Sequence, residues 1–352
     1  MKIAIITDQH LDGRKGSLPF WNYWQKFYDE IFFPTLEKEG ITTVFDLGDT
    51  FDNRKSVDFN TLNRIKYNYF DRLKKYEVHM LLGNHCTYYK NTNKINSPEL
   101  LLENYSNIKI YTEPETIFVG GKEFLMMPWI NSENKEECTK LIKKGGEIMC
   151  SHMEVDGFEV TPGMHFEGGY SVSDFKNFNR VWSGHFHHRS KRGNVQYLGN
   201  PYQMFWNDYN DQRGFHLFDS AERELTFIQN PYRIFNKIWY DDTDMVLEKF
   251  LESFDFDSYK DTYVKVIIQN KSNPYWFDIV LDNLYKANPA NVSIVDDNKN
   301  ADLQSEEEII SEAEDTLTSL YKYVDQLNTN VDKSKLNQLF ANLYTEAQNL
   351  EV

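Results

Sequence analysis

Five short polar signatures, each set directly behind a stretch that reads as a buried β-strand, restrict this chain more than any other feature. They are Asp8-Gln9-His10; Gly48-Asp49 with Asp52; Gly83-Asn84-His85; Ser151-His152; and Gly184-His185-Phe186-His187. Five of the 9 histidines lie inside them. In an open α/β sheet the loops at the carboxyl ends of the strands converge on one crevice, so side chains many tens of residues apart can meet there. A lone histidine is more often a surface or satisfied core residue; five signatures in this order are not explained that way.

The surrounding pattern predicts such a sheet. Strands are expected at Lys2–Thr7, Thr42–Leu47, Val78–Leu82, Glu147–Ser151, Val181–Ser183, Val195–Leu198 and Phe215–Asp219, with a hairpin about Gly120-Gly121 joining Thr116–Val119 to Glu123–Met127. Helices are expected over about 20–39, kinked or split by Pro34, over 58–75, and from Ser97 as N-cap with Pro98 in the first turn. Strands alternating with helices, then strand-rich sequence, imply an α/β fold of the four-layer sandwich type. Past Tyr232 the pattern becomes strand, helix (Thr243–Phe254), strand (Tyr263–Ile268), helix (Pro274–Ala287) and strand (Val292–Val295), a small α/β unit. An acidic linker over 296–305 precedes two amphipathic helices, about 305–327 and 332–348. Leu317, Leu320 and Val324 stripe the first; Leu336, Leu339 and Phe340 stripe the second. They form either a hairpin packed on its own domain or a docking surface. The expected division is 1–232, 233–296 and 297–352.

No apolar run approaches the roughly 20 residues that cross a bilayer, and Lys2–Thr7 meets Asp8 too early for a signal-peptide core. The chain is expected to be soluble, unexported and cytoplasmic. Cys86, Cys138 and Cys150 show no CxxC spacing, which argues against a zinc ribbon or disulfide framework and for a reducing compartment. The net charge of −16 is uneven: residues 1–240 hold 29 Lys+Arg against 31 Asp+Glu, a net of −2, and residues 241–352 hold 9 against 23, a net of −14. Basic groups at Arg54-Lys55, Arg72-Lys74-Lys75 and Arg189-Lys191-Arg192 could meet phosphates or simply be solvated surface. Charge neither forbids nor indicates DNA.

Asp8, His10, Asp49, His152, His185 and His187, with the Asn84 amide oxygen, offer a mixture of oxygen and nitrogen donors. That mixture suits Mn²⁺, Fe²⁺ or Zn²⁺ better than Ca²⁺, which takes oxygen alone. Seven ligands are too many for one ion with an open position but suit two ions sharing a carboxylate. Asp49, between a glycine and a short turn, is the candidate bridge. Two such ions can activate water and stabilise phosphoryl charge.

The order DxH, GDxxD, GNH, H, GHxH resembles the calcineurin-like metallophosphoesterase superfamily. Within it the chain resembles the SbcD-type double-strand-break-repair nucleases, and most of all the T-even-type phage recombination endonuclease subunits. Gly48-Asp49-Thr50-Phe51-Asp52-Asn53-Arg54-Lys55 and Val181-Trp182-Ser183-Gly184-His185-Phe186-His187 carry that likeness. The resemblance implies one ion held by Asp8, His10, Asp49 and His187, and a second by Asp49, Asn84, His152 and His185. The metals would be two divalent ions, Mn²⁺ with Mg²⁺ as the alternative. His85 would contact the scissile phosphate and help protonate the leaving oxygen, a role suited to an imidazole. Asp52, Arg54 and Lys55 are candidate DNA contacts. The family usually places an acid directly after this histidine; here Cys86 stands instead, so another acid must orient the ring or its role as proton donor weakens. A nucleophilic Cys86 is not needed, since the metals supply a nucleophile.

The resemblance further implies hydrolysis of DNA at duplex ends and hairpins, residues 233–296 as a DNA-positioning cap, and terminal helices that dock an SbcC-type ATPase in a homodimer within a heterotetramer. ATP dependence would belong to that partner, because no GxxxxGK[ST] loop occurs here. A phosphomonoesterase or protein phosphatase would use the same metals, but the phosphatase motif sets arginine right after the second aspartate, where Asn53 stands. A non-catalytic scaffold would have no reason to keep seven ligands in register. His165, in the loop Gly163–Gly169, either borders the substrate groove or belongs to a flexible loop.

Overall fold

A computed structural model describes residues 1–161 and 164–296, together with Val324, Lys333, Lys335, Leu336, Leu339 and Phe340, all six helical. The expected linker after Asp296 and the rest of the two terminal helices lie outside the described residues. Met1–Asn300 and Ala301–Val352 separate as two units, and the fold that follows is the first.

In chain order its strands are β1 (Lys2–Ile6), β2 (Thr43–Asp46), β3 (Glu77–Leu81), β4 (Ile108–Tyr111), β5 (Glu115–Val119), β6 (Lys122–Met127), β7 (Gly146–His152), β8 (Glu159–Thr161), β9 (Met164–His165), β10 (Phe178–Gly184), β11 (Ser190–Arg192), β12 (Val195–Tyr197), β13 (Gly214–Asp219), β14 (Glu224–Gln229), β15 (Phe235–Asp241), β16 (Tyr263–Asn270) and β17 (Asn291–Asp296). They make two six-stranded sheets, ordered β14-β13-β1-β2-β3-β4 and β11-β12-β10-β7-β6-β5, a three-stranded sheet β15-β16-β17 and the small pair β8-β9. Each large sheet contains a run of four parallel strands: β1, β2, β3 and β4 in one, β6, β7, β10 and β12 in the other.

Alternation along the strands builds the layers. Ile3, Ile5, Phe45, Leu47 and Leu81 of the first sheet pack on Phe124, Met126, Ile148, Cys150 and Trp182 of the second. Ala4, Ile6, Val44, Val78 and Met80 face the other way, into a cluster with helical Trp24, Phe27, Phe32, Ile65 and Phe70. Burial on both faces is why these strands read as near-continuous apolar runs. The result is an α/β sandwich.

The first helical stretch runs Leu18–Phe27, then a π turn Tyr28–Phe32, then Phe33–Lys38. Pro34 was expected to kink or split it. Proline has no N–H for the carbonyl four residues back, and the wider π turn occupies that stretch, so the chain stays helical. A second π turn, Lys66–Phe70, interrupts the helical run from Phe59 to Leu73. The helix Ser97–Leu102 starts one residue earlier than expected: Asn96, not Ser97, is its N-cap, accepting the Glu99 N–H at 2.9 Å.

In the three-stranded unit, parallel β15, β16 and β17 pack with the helices Leu247–Ser253 and Pro274–Lys286 around Ile238, Val264, Val266, Phe277, Val280 and Leu284. The first of these helices begins later than Thr243. Asp241 accepts both the N–H and the hydroxyl of Thr243, a local turn that competes with helix. The Phe20 ring meets Phe235 and Tyr263 at 5.9 and 5.1 Å, and Gln203 Oε1 accepts the N–H groups of Ile234 and Phe235. Among the described residues no helix is long and apolar enough to cross a membrane.

Candidate metal centre

The parallel strands β1, β2, β3, β7 and β10 deliver the five signatures to one edge of the sandwich. The loops there are bent hard. Asp8, His10, Asp49 and His185 all take positive φ, at 52°, 44°, 50° and 92°, a conformation that costs non-glycine residues about 1–3 kcal/mol each. Backbone bonds across the loops hold it: the N–H groups of Asp8, His10 and Leu11 donate to the carbonyls of Gly48, Asp49 and Thr50, each at 2.9 Å.

The signature glycines have a shared cause. A Cβ at Gly83 would lie 2.1 Å from Asp49 Oδ1, one at Gly48 would lie 2.7 Å from His152 Nδ1, and one at Gly184 would lie 2.8 Å from Asp8 Oδ2. The ligand side chains pack directly on glycine Cα atoms, and no larger residue leaves them room.

Two groups of donor atoms result, Asp8 with His10 and His187, and Asp49 with His152 and His185, each within 4.8 Å; a third, His10 with Asp52 and His85, shares His10 with the first. Asn84 Oδ1 joins the second, 3.2 Å from His152 Nε2 and 3.0 Å from His185 Nδ1. Asp49 Oδ1 is fixed by the His85 N–H at 2.9 Å. Its Oδ2 lies 3.2 Å from His152 Nε2 and 4.0 Å from His10 Nε2, so a single carboxylate oxygen faces both groups.

The donor set fits cations. His152 Nδ1 faces the Leu47 carbonyl at 2.8 Å; a carbonyl only accepts, so that nitrogen carries the proton and Nε2 presents a lone pair. It presents it toward oxygens of Asn84, Asp49 and, at 3.9 Å, Asp8. His10 and His187 approach Nε2 to Nε2 at 3.2 Å, a spacing that one ring proton, or an ion, can bridge. Lone pairs aimed at lone pairs need either extra protons or metal ions between them. Burial opposes charge on His152, yet Asp49 overrides it and lifts the pKa to about 9. The reciprocal effect, again against burial, holds Asp49 well below the usual carboxylate range. Burial, then His10, pushes His187 well down, so it favours the neutral form that a metal requires.

Residues outside the signature ligands hold the imidazoles. Asp52 Oδ1 lies 3.0 Å from His10 Nδ1, a carboxylate–histidine pair that fixes tautomer and ring angle. Glu154 Oε1 lies 3.5 Å from His185 Nε2. Buried Arg213 donates to the His187 carbonyl and pairs with Asp208 at 2.7 Å. Beneath the loops, buried Asp46 accepts from Gln9, Thr50 and the Gly48 N–H, and burial lifts its pKa to about 7.

The calcineurin-like phosphoesterase family model matches residues 1–257. The chain belongs to that family. This phosphoesterase is 31% identical over 319 residues to exonuclease subunit 1 of enterobacteria phage T4, covering 88% of this chain and 89% of the relative. Among solved structures it is similar to an archaeal phosphodiesterase (15% identity, 65% of this chain and 100% of the other, TM-score 0.33) and to the Pseudomonas putida nuclease MPE (13%, 64% and 87%, TM-score 0.31).

His85 sits against the phosphoesterase ligands, its ring 4.9 Å from that of His10. Its Nδ1 donates to the Asp52 carbonyl at 2.7 Å, with Asp52 Oδ1 3.8 Å away, leaving Nε2 for a ligand. The His85 ring is thus oriented by the Asp52 main chain, while the Asp52 carboxylate turns to His10. Cys86 is fully buried, and burial raises its thiol pKa to about 12, which leaves it neutral. Asp52, considered among DNA contacts, is turned inward onto His10. Arg54 is half-buried, and Lys55 is exposed with its ammonium over the Tyr88 ring. Arg72, Lys74 and Lys75 each pair with an acid, Asp29, Asp71 and Glu37, so that basic group is locally neutralised. His165 is exposed in the β8-β9 hairpin. Sequence reading passed over Asp46, Glu154 and Arg213; only Glu154, two residues past His152, carried any positional hint.

Proposed function

We propose that the chain is a Mn²⁺-dependent DNA exo/endonuclease subunit that hydrolyses phosphodiester bonds by a two-metal mechanism, in the cytoplasm of the host cell. The observation that carries it is Asp49 Oδ2, one oxygen turned toward both donor groups. Asp8, His10, Asp49 and His187 would hold one ion; Asp49, Asn84, His152 and His185 the other. When bound, such ions draw charge from the phosphoryl oxygens and make water a nucleophile near neutral pH. The chain's own residues do the rest. Asp52 and Glu154 keep the His10 and His185 rings aimed. His85 offers Nε2 to the leaving oxygen; burial holds its pKa below the usual value, so its proton is favoured by the anionic phosphate arriving beside it. The T4 relative is named an exonuclease subunit, which supports a nucleic-acid substrate and a partner subunit; in this reading the substrate is DNA and the partner an SbcC-type ATPase, within a heterotetramer holding two copies of this chain.

The test is digestion of end-labelled duplex and hairpin DNA with Mn²⁺, with and without the ATPase, beside a small phosphate monoester. Cleavage of DNA with little monoester turnover is expected. Rapid monoester hydrolysis with intact DNA would replace this reading with a phosphatase.

A further inference from the structure

Next to the metal centre lies a cleft of about 280 Å³ bounded by Trp129, Asn131, Lys135, Glu154 and Tyr170. The Trp129 ring stands 5.3 Å from that of His185 and 6.1 Å from that of His152. Its main chain is clamped on both sides: the N–H donates to the Leu82 carbonyl at 2.8 Å, and the carbonyl accepts from Asn93 at 3.0 Å and Asn134 at 3.1 Å. Yet the side chain stays partly exposed. A large aromatic held rigid, left wet and set beside the reacting centre has the properties of a stacking platform, because every nucleobase offers a π-face.

Charge decides what the cleft accepts. Glu154 joins it to the metal centre through His185. The Glu154 carboxylate offers oxygens that can accept a hydrogen bond from an exocyclic amine. Lys135, exposed on the rim and without an ion pair among the described residues, can meet the next backbone phosphate.

We propose that this cleft binds the base of the nucleotide adjacent to the scissile phosphate, stacked on Trp129, with Glu154 accepting from an exocyclic amino group. The proposal rests on the nuclease reading above and adds a preference. Cytosine, adenine and guanine carry such an amine, and thymine does not.

The experiment digests Mn²⁺-containing duplexes in which one abasic residue is moved through the first three positions from the end. With the wild-type chain, one position should raise KM about ten-fold. Trp129→Ala should show that loss on intact DNA and no further loss on the abasic duplex, while Trp129→Phe keeps most of the affinity. An oligonucleotide with 2-aminopurine at that position, bound in Ca²⁺, should lose fluorescence with wild type and not with Trp129→Ala. Should the alanine variant not fold, Glu154→Ala reads the same cleft, by abolishing the wild-type preference for cytosine over thymine there. An abasic penalty equal in wild type and variants, or absent at every position, overturns the proposal. Failure of the nuclease reading is distinct: the wild-type chain would then cleave none of the duplexes.

Discussion

At the metal centre four non-glycine residues stand in left-handed conformation and polar side chains fill the interior, from Asp8 and His10 to His152 and His185. In residues 235–296 the left-handed residues are Asp261, in a turn, and Asn288, just past a helix, where such residues are at home. The packed interior there is Val264, Val266, Val280 and Leu284 with their aromatic neighbours. The smaller region is arranged as burial alone would arrange it. The centre departs from the local optimum at four of its seven proposed ligands, which is where chemistry rather than stability has chosen the residue. Substitutions should therefore separate function from stability according to where they fall.

Asp49→Asn is the largest break. The amide oxygen can still take the His85 N–H, so the fold should survive, but both donor groups lose their common anion. Phosphodiester turnover should fall below detection and metal analysis should show depleted ions; full Mn²⁺-dependent activity would remove Asp49 from its bridging place. Asp52→Asn leaves every ligand present and loosens only the His10 ring, so Mn²⁺ affinity measured by titration calorimetry should drop about 10- to 100-fold. An unchanged affinity would make Asp52 incidental.

Leu284→Ala probes the other region. A cavity beside Val264 and Phe277 should cost about 2–5 kcal/mol in urea unfolding, with metal content and turnover of a small phosphodiester intact. Loss of the ions in this variant would dissolve the contrast between the two regions. The smallest effect distinguishes a histidine that only packs. His216 is buried on β13, and burial, then Arg189, holds its pKa at about 3. The unfolded chain protonates this group near 6.5, so its stabilising effect is whole above that pH and fades as pH falls toward 3. His216→Phe should flatten that slope, worth about 1.4 kcal/mol at pH 5.5, without altering turnover. An identical acid profile in the variant would place the acid sensitivity elsewhere.

These differences also explain what could be read from the chain before its fold. The five signatures led to the gathered donors because each ligand follows a doubly buried strand, and such strands are conspicuous. The glycines at 48, 83 and 184 were visible as well, although their reason, ligand atoms lying where a Cβ would go, is a contact between distant segments. Arg213 and Asp46 gave no such sign: one lies 26 residues beyond the carbonyl it holds, and the other looks like an ordinary strand residue. β4 is only four residues long, and β14 lies at a sheet edge with no buried position, so neither announced itself. The continuity of the π-turned helix was hidden by Pro34 for the opposite reason, since a strong local breaker was absorbed by a rarer helical geometry.

The proposed ligands are spread from position 8 to position 187 and reach the centre from both large sheets. A nascent polypeptide that has emerged only as far as Trp182 already owns Asp8, Asp49 and Asn84, but not the last two imidazoles. With that ligand set, catalysis would wait until translation has passed the last imidazoles, and a prematurely terminated product would stay inert toward phosphate esters in the cell that made it.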